Sequence, residues 1–400
     1  MNIVSRSAFP VLVTDVHAIG MIGVVRALGG AGYPVIACDA EEDALGFSSN
    51  FVRQALVCPP YGRHDFIEWL RDVIVDHGIR AIIPSEGFLV AVRAHYDEFS
   101  HLMPTPSRAS LVYDCLSKTA VIGKFIEAQQ TAHLPTTYLI QAEQELPTEA
   151  ELATLSFPLF VKGDAADARE ERGGFVCAVQ SAGEACRLVR ERLVDFRRIL
   201  VQAFVPGVGV GAHFFVKNGA IKQEFMTRCI HEVPHTGGYC SLRGAWWNDE
   251  IMRDARAKVL CLGWEGVSML EYRWDKFSGK FWFVELNPRF WASLHVALYS
   301  GINFPVLLVD SARGATVSVS SPQVRPVFVR YTFPFDVGYV VSRIRDKRLP
   351  FLQKAKSVAE WFLLFFDFRV RSDLLFPGDR MLYLIQFYRF IKSLVVRGGS

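Results

Sequence analysis

The sequence has no Cys-x-x-Cys pair, no internal repeat and no low-complexity tract. Its eight cysteines (Cys38, Cys58, Cys115, Cys177, Cys186, Cys229, Cys240 and Cys261) are scattered. That fits neither a zinc pattern nor a small disulfide framework, so reduced thiols of a cytoplasmic protein are the simplest expectation. No apolar run reaches the roughly 18 residues that a bilayer-spanning helix needs. The chain enters a strand-like run almost at once, without the charged, apolar and cleavage regions of a secretory leader. The first glycine-containing turn, 15–20, is not G-x-G-x-x-G, because His17 and Ala18 stand at its front. A dinucleotide-dependent oxidoreductase therefore rests on residues 10–39 alone.

There is ample core material. Half of the 400 residues are apolar and 13% are aromatic, and the length suggests two or three domains. The net charge of +3 is small, but it is unevenly spread. From Val340 onward 12 Lys/Arg face 5 Asp/Glu, a net +7, which leaves −4 for the rest. The tail is basic and the body mildly acidic.

The pattern alternates strands and helices. A buried-type strand at 10–14, a helix to about residue 31 and a strand at 33–39 make a βαβ opening and predict a parallel sheet. A strand at 54–58, a helix near 64–77 and a strand at 79–84 continue it. Ser85-Glu86 then stands where such sheets bind ligands, or caps the next helix. A Pro/Ser segment at 103–107 marks a boundary. Residues 111–132 predict one helix, with Lys118 and Lys124 on it. Strands follow at 134–140 and at 157–162, FPLFVK. A lysine closing an apolar run is rarely buried without a partner, so Lys162 is expected to meet an anion, unless it snorkels from a strand end. A charged loop at 163–174, a strand at 175–180, a helix near 183–192 and a strand at 199–205 come next, the last broken at Pro206-Gly207. Two more strands lie at 209–216 and 220–228. Residues 231–244 predict a loop, and 249–262 a helix.

The densest chemistry lies in FWFVELNPRFW, residues 281–291. Period-two alternation puts Glu285, Asn287 and, if the chain stays extended, Arg289 on one face. Upstream, the apolar run 267–272 carries Glu271, and Ser278-Gly279 signals a turn between the two runs. A hairpin centred there sets Glu271 opposite Glu285. Two carboxylates facing each other across a ladder repel, and a divalent cation removes that penalty. Two carboxylates and an amide oxygen suit Mg²⁺, and Arg289 could then stabilise charge on a transferring phosphoryl group. The structural alternative is a hairpin with a solvated acidic face.

Taken together, Lys118 on its helix, Lys162 ending FPLFVK, VQAFVPG at 201–207, Glu271 and VELNPRFW at 284–291 resemble an ATP-grasp ligase. ELNPRFWASLHVALYSGINFP is similar to the closing motif of the predicted carboxylate–amine ligases, with D-aspartate ligases nearby. The likeness runs from about residue 10 to 310. It implies an α/β fold: a Rossmann-like pre-ATP-grasp domain (1–110), a two-lobed α+β ATP-grasp domain (111–315, small lobe about 120–198, large lobe about 199–315), and a basic, partly helical C-terminal extension (316–400). It implies ATP and Mg²⁺ (or Mn²⁺) as cofactors. Lys118 and Lys162 would contact phosphates. Gln202, Ala203 and Val205 would meet adenine. Glu271, Glu285 and Asn287 would hold the metal. Arg289 would steady the acyl-phosphate step, with Arg228 and Arg243 as further candidates for substrate carboxylate or γ-phosphate. The implied reaction joins an activated carboxylate to an amine. A non-catalytic nucleotide-binding or scaffold protein is the alternative. Three features depart from the family pattern: Val208 and Gly209 stand where a ribose-binding acid often does, the loop at 163–174 is charged rather than glycine-rich, and Ser117 precedes Lys118 in place of Asp.

Beyond about residue 316 the resemblance fades. Residues 381–397 are apolar at most positions with a polar stripe of Gln386, Arg389, Ser393 and Arg397, and WFLLFF lies upstream at 361–366. With the +7 this fits peripheral contact of residues 361–397 with an anionic membrane. A helix packed on the body, or a homodimer contact, is the other expectation. Nucleic acid is not expected, since the basic residues interleave with a broad apolar face.

Overall fold

The computed structural model describes residues 4–106, 108–169, 173–317 and 326–398. The boundary segment at 103–107, the charged loop at 163–174 and the start of the extension each include residues outside that set. Three sheets organise the chain. The first is parallel and four-stranded, in the order β3-β2-β1-β4, from β1 (Val11–Val13), β2 (Val35–Asp39), β3 (Gln54–Val57) and β4 (Ala81–Ile83). The second is antiparallel, in the order β5-β8-β6-β7, from β5 (Thr137–Ile140), β6 (Leu159–Gly163), β7 (Phe175–Val179) and β8 (Ile199–Gln202). Its covered face buries Leu152, Val161, Val189 and Ile199. The third has seven strands, in the order β13-β12-β9-β10-β11-β14-β15: β9 (Val208–Lys217), β10 (Ala220–Val233), β11 (Tyr239–Ala245), β12 (Gly266–Trp274), β13 (Phe281–Asn287), β14 (Phe328–Arg330) and β15 (Val370–Ser372).

The first and third sheets share apolar clusters. One unites Leu12, Ile36 and Phe88 with Val210, Leu270 and Phe283. Another unites Val11, Val13 and Val25 with Trp291, Leu294 and Phe304. The helix Ile19–Gly30 is buried along most of its length because it lies between its own sheet and the chain that follows β13. A Cβ on Gly20 would stand 2.6 Å from the Trp291 carbonyl oxygen, and one on Gly23 would stand 3.1 Å from Leu294. These two glycines of the opening turn and helix thus admit a packing partner. The GINFP stretch also has a local cause: Asn303 accepts from the Val306 amide at 3.1 Å and Pro305 sits in the first turn of the helix Phe304–Ala312, a start that proline and asparagine favour.

Two sequence expectations change. Residues 111–132 form two helices, Ala109–Leu116 and Lys118–Glu127, because Ser117 is extended and its Oγ accepts from the Ala120 amide to cap the second. The segment 231–244, expected as a loop, is mostly strand: β10 runs to Val233 and pairs with β11, with register shifts at His231, and the turn contains Gly237 and Gly238, both at positive φ.

The C-terminal residues complete the third sheet. β14 pairs antiparallel with β11, and β15 pairs parallel with β14. Asp379 is buried and accepts from Arg26 Nε at 2.7 Å, Ser49 Oγ at 2.8 Å and the Asn50 amide at 2.9 Å. A buried charge needs such partners. The helix Met381–Gly398 packs Leu382 with Tyr331, Leu45 and Ile19. Among the described residues no helix is long and apolar enough to cross a membrane.

Candidate active site

β12 and β13 form the hairpin read from the sequence, and Glu271 pairs directly with Glu285. Asn287 Nδ2 donates to Glu285 Oε1 at 3.1 Å. Burial and the facing charge of Glu285 push the Glu271 carboxyl up. Glu285 is also penalised by burial, but Lys118, the Asn287 hydrogen bond and Lys162 outweigh it, and its pKa falls below the ordinary value. One carboxyl of the pair thus carries charge at the expense of the other. That donor set of two carboxylates and an amide oxygen fits a divalent cation.

The second sheet and its leading helix bring two lysines to this pair. Lys118 Nζ lies 3.4 Å from Glu285 and 3.5 Å from Asp164. Burial opposes its charge, yet Glu285, Asp164 and Glu86 together raise its pKa. Lys162 is buried at the end of β6 and donates to Gln202 Oε1 at 2.8 Å. Burial, with a contribution from Lys118, lowers its pKa against the pull of Glu285. Gln202 in turn donates to Thr137 Oγ1 at 3.1 Å, and the Ala203 amide donates to the Thr136 carbonyl at 3.0 Å. β8 ends at Gln202, so Ala203 and Val205 lie in the link to β9. Ser117, where the family pattern has an acid, donates to Asp167 at 2.9 Å. Asp167 also accepts from Thr119 at 2.6 Å and Arg198 at 2.6 Å, which fixes the start of the Lys118 helix.

Arg289 points to the first sheet. Its Nε and Nη2 donate to Glu86 Oε2 at 3.0 and 2.9 Å. Ser85 caps the helix that Glu86 opens, accepting from the Phe88 amide at 3.0 Å. Ser85 thus caps that helix, one of the two readings made from the sequence. Beside them Asp15, His17 and Tyr239 line a cavity with Arg289 of about 440 Å³. His17 hydrogen-bonds Asp39 at 2.8 Å, which raises its pKa.

Arg228 is not brought to the carboxylate pair. On the third sheet Glu271, Gly211 and Thr227 share a face, since Glu271 pairs with Gly211 and Thr227 with Gly211. Arg228, one residue on, projects from the other face and lies 5.6 Å over Trp246 and 5.9 Å over Trp274. Arg243 does reach the near side. It lines a cavity of about 180 Å³ with Glu271, Thr227 and Ser293. It is, however, committed: Nη2 donates to Asp373 at 2.5 Å and to the Ala292 carbonyl at 2.9 Å. The same cavity is walled by Cys229 and Cys240, joined in a disulfide with S–S 2.14 Å. The expectation of reduced thiols is corrected for this pair. The β10–β11 hairpin, read as a loop from sequence, brings the two together; the other six cysteines are free.

Asp164, Asp167, Glu232, Arg273 and Asp373 were missed in the sequence. Arg273 bridges to Glu232 at 2.6 Å and also donates to the Gly207 carbonyl. Only the charged character of 163–174 pointed to the first two; the others are isolated charges whose partners lie far along the chain.

No protein-family model matches the sequence, and no curated protein matches it. Solved structures do. The chain resembles an L-amino acid ligase from Bacillus licheniformis at 16% identity and TM-score 0.58, over 81% of this chain and 79% of that one. It resembles the biotin carboxylase domain of Hydrogenobacter thermophilus 2-oxoglutarate carboxylase, solved with MgADP, ADP and bicarbonate, at 15% identity and TM-score 0.60, over 80% and 73%. It resembles Rhizobium etli pyruvate carboxylase at 17% identity and TM-score 0.60, over 80% of this chain but only 30% of that much longer one. The fold is that of the ATP-grasp ligases.

Proposed function

We propose that the protein is an ATP-dependent carboxylate–amine ligase that forms ADP. The observation that carries this reading is the pairing of Glu271 with Glu285 beside Asn287, with Lys118 at 3.4 Å from Glu285. Glu271, Glu285 and Asn287 would hold Mg²⁺ or Mn²⁺, which supplies charge neutralisation for the phosphates of ATP. Lys118 and Lys162 bind phosphate oxygens, and Gln202, Ala203 and Val205 lie against adenine. An oxygen of the substrate carboxylate attacks the γ-phosphorus and the bond to ADP breaks. Arg289, released from Glu86, steadies the charge on the transferring group. The amine nitrogen then attacks the acyl carbon, the C–O bond breaks, phosphate leaves and the nitrogen loses its proton. Arg243 faces the cavity beside Glu271 as a wall for the substrate, whereas Arg228 takes no part.

Supporting likenesses are the ligase and MgADP-bound neighbours, each at under a fifth identity. A domain division at about residues 110 and 315, a cytoplasmic location and peripheral attachment to the inner face of the membrane belong to the same reading. A non-catalytic nucleotide-binding role is the second reading; it is favoured by the engagement of Lys118 with Glu285 and Asp164. Calorimetric titration with ATP and Mg²⁺ tests the site: binding that weakens in Lys118→Ala and Lys162→Ala supports it, and no binding to the unaltered protein removes it.

A further inference from the structure

The helix Phe351–Leu363 is inverted. An amphipathic helix on a folded body normally turns its apolar stripe to the core. Here the residues at helical spacing, Phe351, Ala355, Val358, Ala359 and Phe362, continued by Phe366 in the turn that follows, all face outward. Phe351 is 81% exposed and Phe366 71%. Ser357, a polar residue, is the buried one, and it accepts from Arg343 at 2.6 Å.

The helix Met381–Gly398 has two apolar faces. Leu382, Tyr383 and Phe390 pack inward, on Tyr331 and Phe333. Leu384, Tyr388, Ile391, Leu394 and Val395 form a second stripe at helical spacing and are exposed. The two helices flank one short segment: Arg330 lies 4.7 Å over Trp361, and Phe333 lies 5.1 Å from Phe387. Each helix thus packs one side on the segment 330–333 and leaves an apolar stripe exposed.

These exposed faces are basic. Of the 5 acidic residues after Val340, Asp373 and Asp379 are buried against Arg243 and Arg26 from outside the segment. Asp346 and Asp367 are held by Arg348 and Arg369, and the fifth, Glu360, pairs with Lys356 at 3.6 Å on the exposed helix Phe351–Leu363. Lys354 borders the first stripe, and exposed Lys392 follows Ile391 of the second. A second copy of the chain on a two-fold axis would set this positive surface against itself. An anionic bilayer complements it, and exposed Phe and Tyr suit the headgroup boundary.

We infer that the outward faces of the helices Phe351–Leu363 and Met381–Gly398 form a docking surface for a bilayer rich in anionic lipid headgroups. The inference deepens the peripheral attachment in the proposed function and is independent of the ligase chemistry, so a vesicle assay and a turnover assay fail separately.

The test is co-sedimentation of the full chain with phosphatidylcholine vesicles, with and without phosphatidylglycerol, at low and high salt. Binding should require phosphatidylglycerol and fall with salt. Phe362→Ser with Phe366→Ser should weaken it by at least roughly tenfold, as should Lys354→Glu with Lys356→Glu. All four positions are partly or largely exposed, and circular dichroism checks that the variants fold. Absence of binding to phosphatidylglycerol vesicles at low salt overturns the inference. So does concentration-dependent dimerisation in light scattering that the Phe362/Phe366 variant abolishes without any vesicle binding, which would assign the surface to a second copy. Equal binding to both vesicle types overturns the role of the basic residues.

Discussion

Arg243 and Asp373 meet at 2.5 Å with both side chains almost fully buried. Arg243 walls the cavity beside Glu271, and Asp373 follows β15 directly. The last strand of the chain thus fixes the wall of a site built mostly by residues a hundred or more positions earlier.

Asp373→Ala leaves Arg243 buried without its counter-ion. Removing one partner of a buried pair costs about 3–5 kcal/mol. Thermal unfolding should show a large fall in Tm, and Arg243→Ala with Asp373→Ala together should lose less than the sum of the two singles.

Arg289→Ala should lower kcat by about 100- to 1000-fold, the effect of removing one charge-stabilising donor. Glu86→Gln, by contrast, should leave Tm nearly unchanged, because the Arg289–Glu86 pair is partly exposed and such pairs are worth about 0–1 kcal/mol. Kinetics on the two variants separate a catalytic Arg289 from one that only ties the third sheet to Glu86 beside the first.

Without metal, Glu271 keeps its proton up to about pH 8. Between the ordinary carboxyl pKa and that value the folded protein holds a proton that the unfolded chain has released. Stability contributed at this position therefore falls as pH rises through the window. In EDTA, Tm should fall from pH 5 to pH 8 more steeply in the unaltered protein than in Glu271→Gln. Adding Mg²⁺ should flatten the difference, since the bound metal takes the deprotonated carboxylate. Scanning fluorimetry reads all four conditions.

Gln202→Leu removes the acceptor for Lys162 and the donor to Thr137. A buried lysine without its partner loses the orientation that presents Nζ to an anion. The KM for ATP should rise by about tenfold or more, equivalent to the loss of one charge-assisted hydrogen bond, with a smaller change in kcat.

The hairpin that opposes Glu271 and Glu285 was legible because both strands and the Ser278-Gly279 turn are local, and period two fixes which side chains share a face. The burial of Lys162 at the end of an apolar run was legible too, but the expected anion is not its hydrogen-bond partner: it donates to the neutral Gln202, and Glu285 acts on it through space. Arg228 was named only through the resemblance: its face is set by pairing with Val210 and Gly244, which could be read only once the registers of β9, β10 and β11 were known. The disulfide was hidden by the reading of 231–244 as a loop. The break at Ser117 was hidden because Asp167, the group that holds Ser117, lies 50 residues away. Asp373 and Asp379 entered the sequence reading only through the net charge of the basic tail; their partners Arg243 and Arg26 make them interior residues.

Turnover of ATP tests the central claim most directly. ADP and phosphate release would be followed with Mg²⁺ against a panel of amino acids, other carboxylates and amines, for the unaltered protein and for Glu285→Ala. The account predicts substrate-stimulated release of ADP and phosphate that needs Mg²⁺ and disappears in Glu285→Ala. Stimulated turnover that persists in Glu285→Ala would contradict the assignment of the carboxylate pair, and failure of the unaltered protein to bind Mg·ATP at all would contradict the ligase itself.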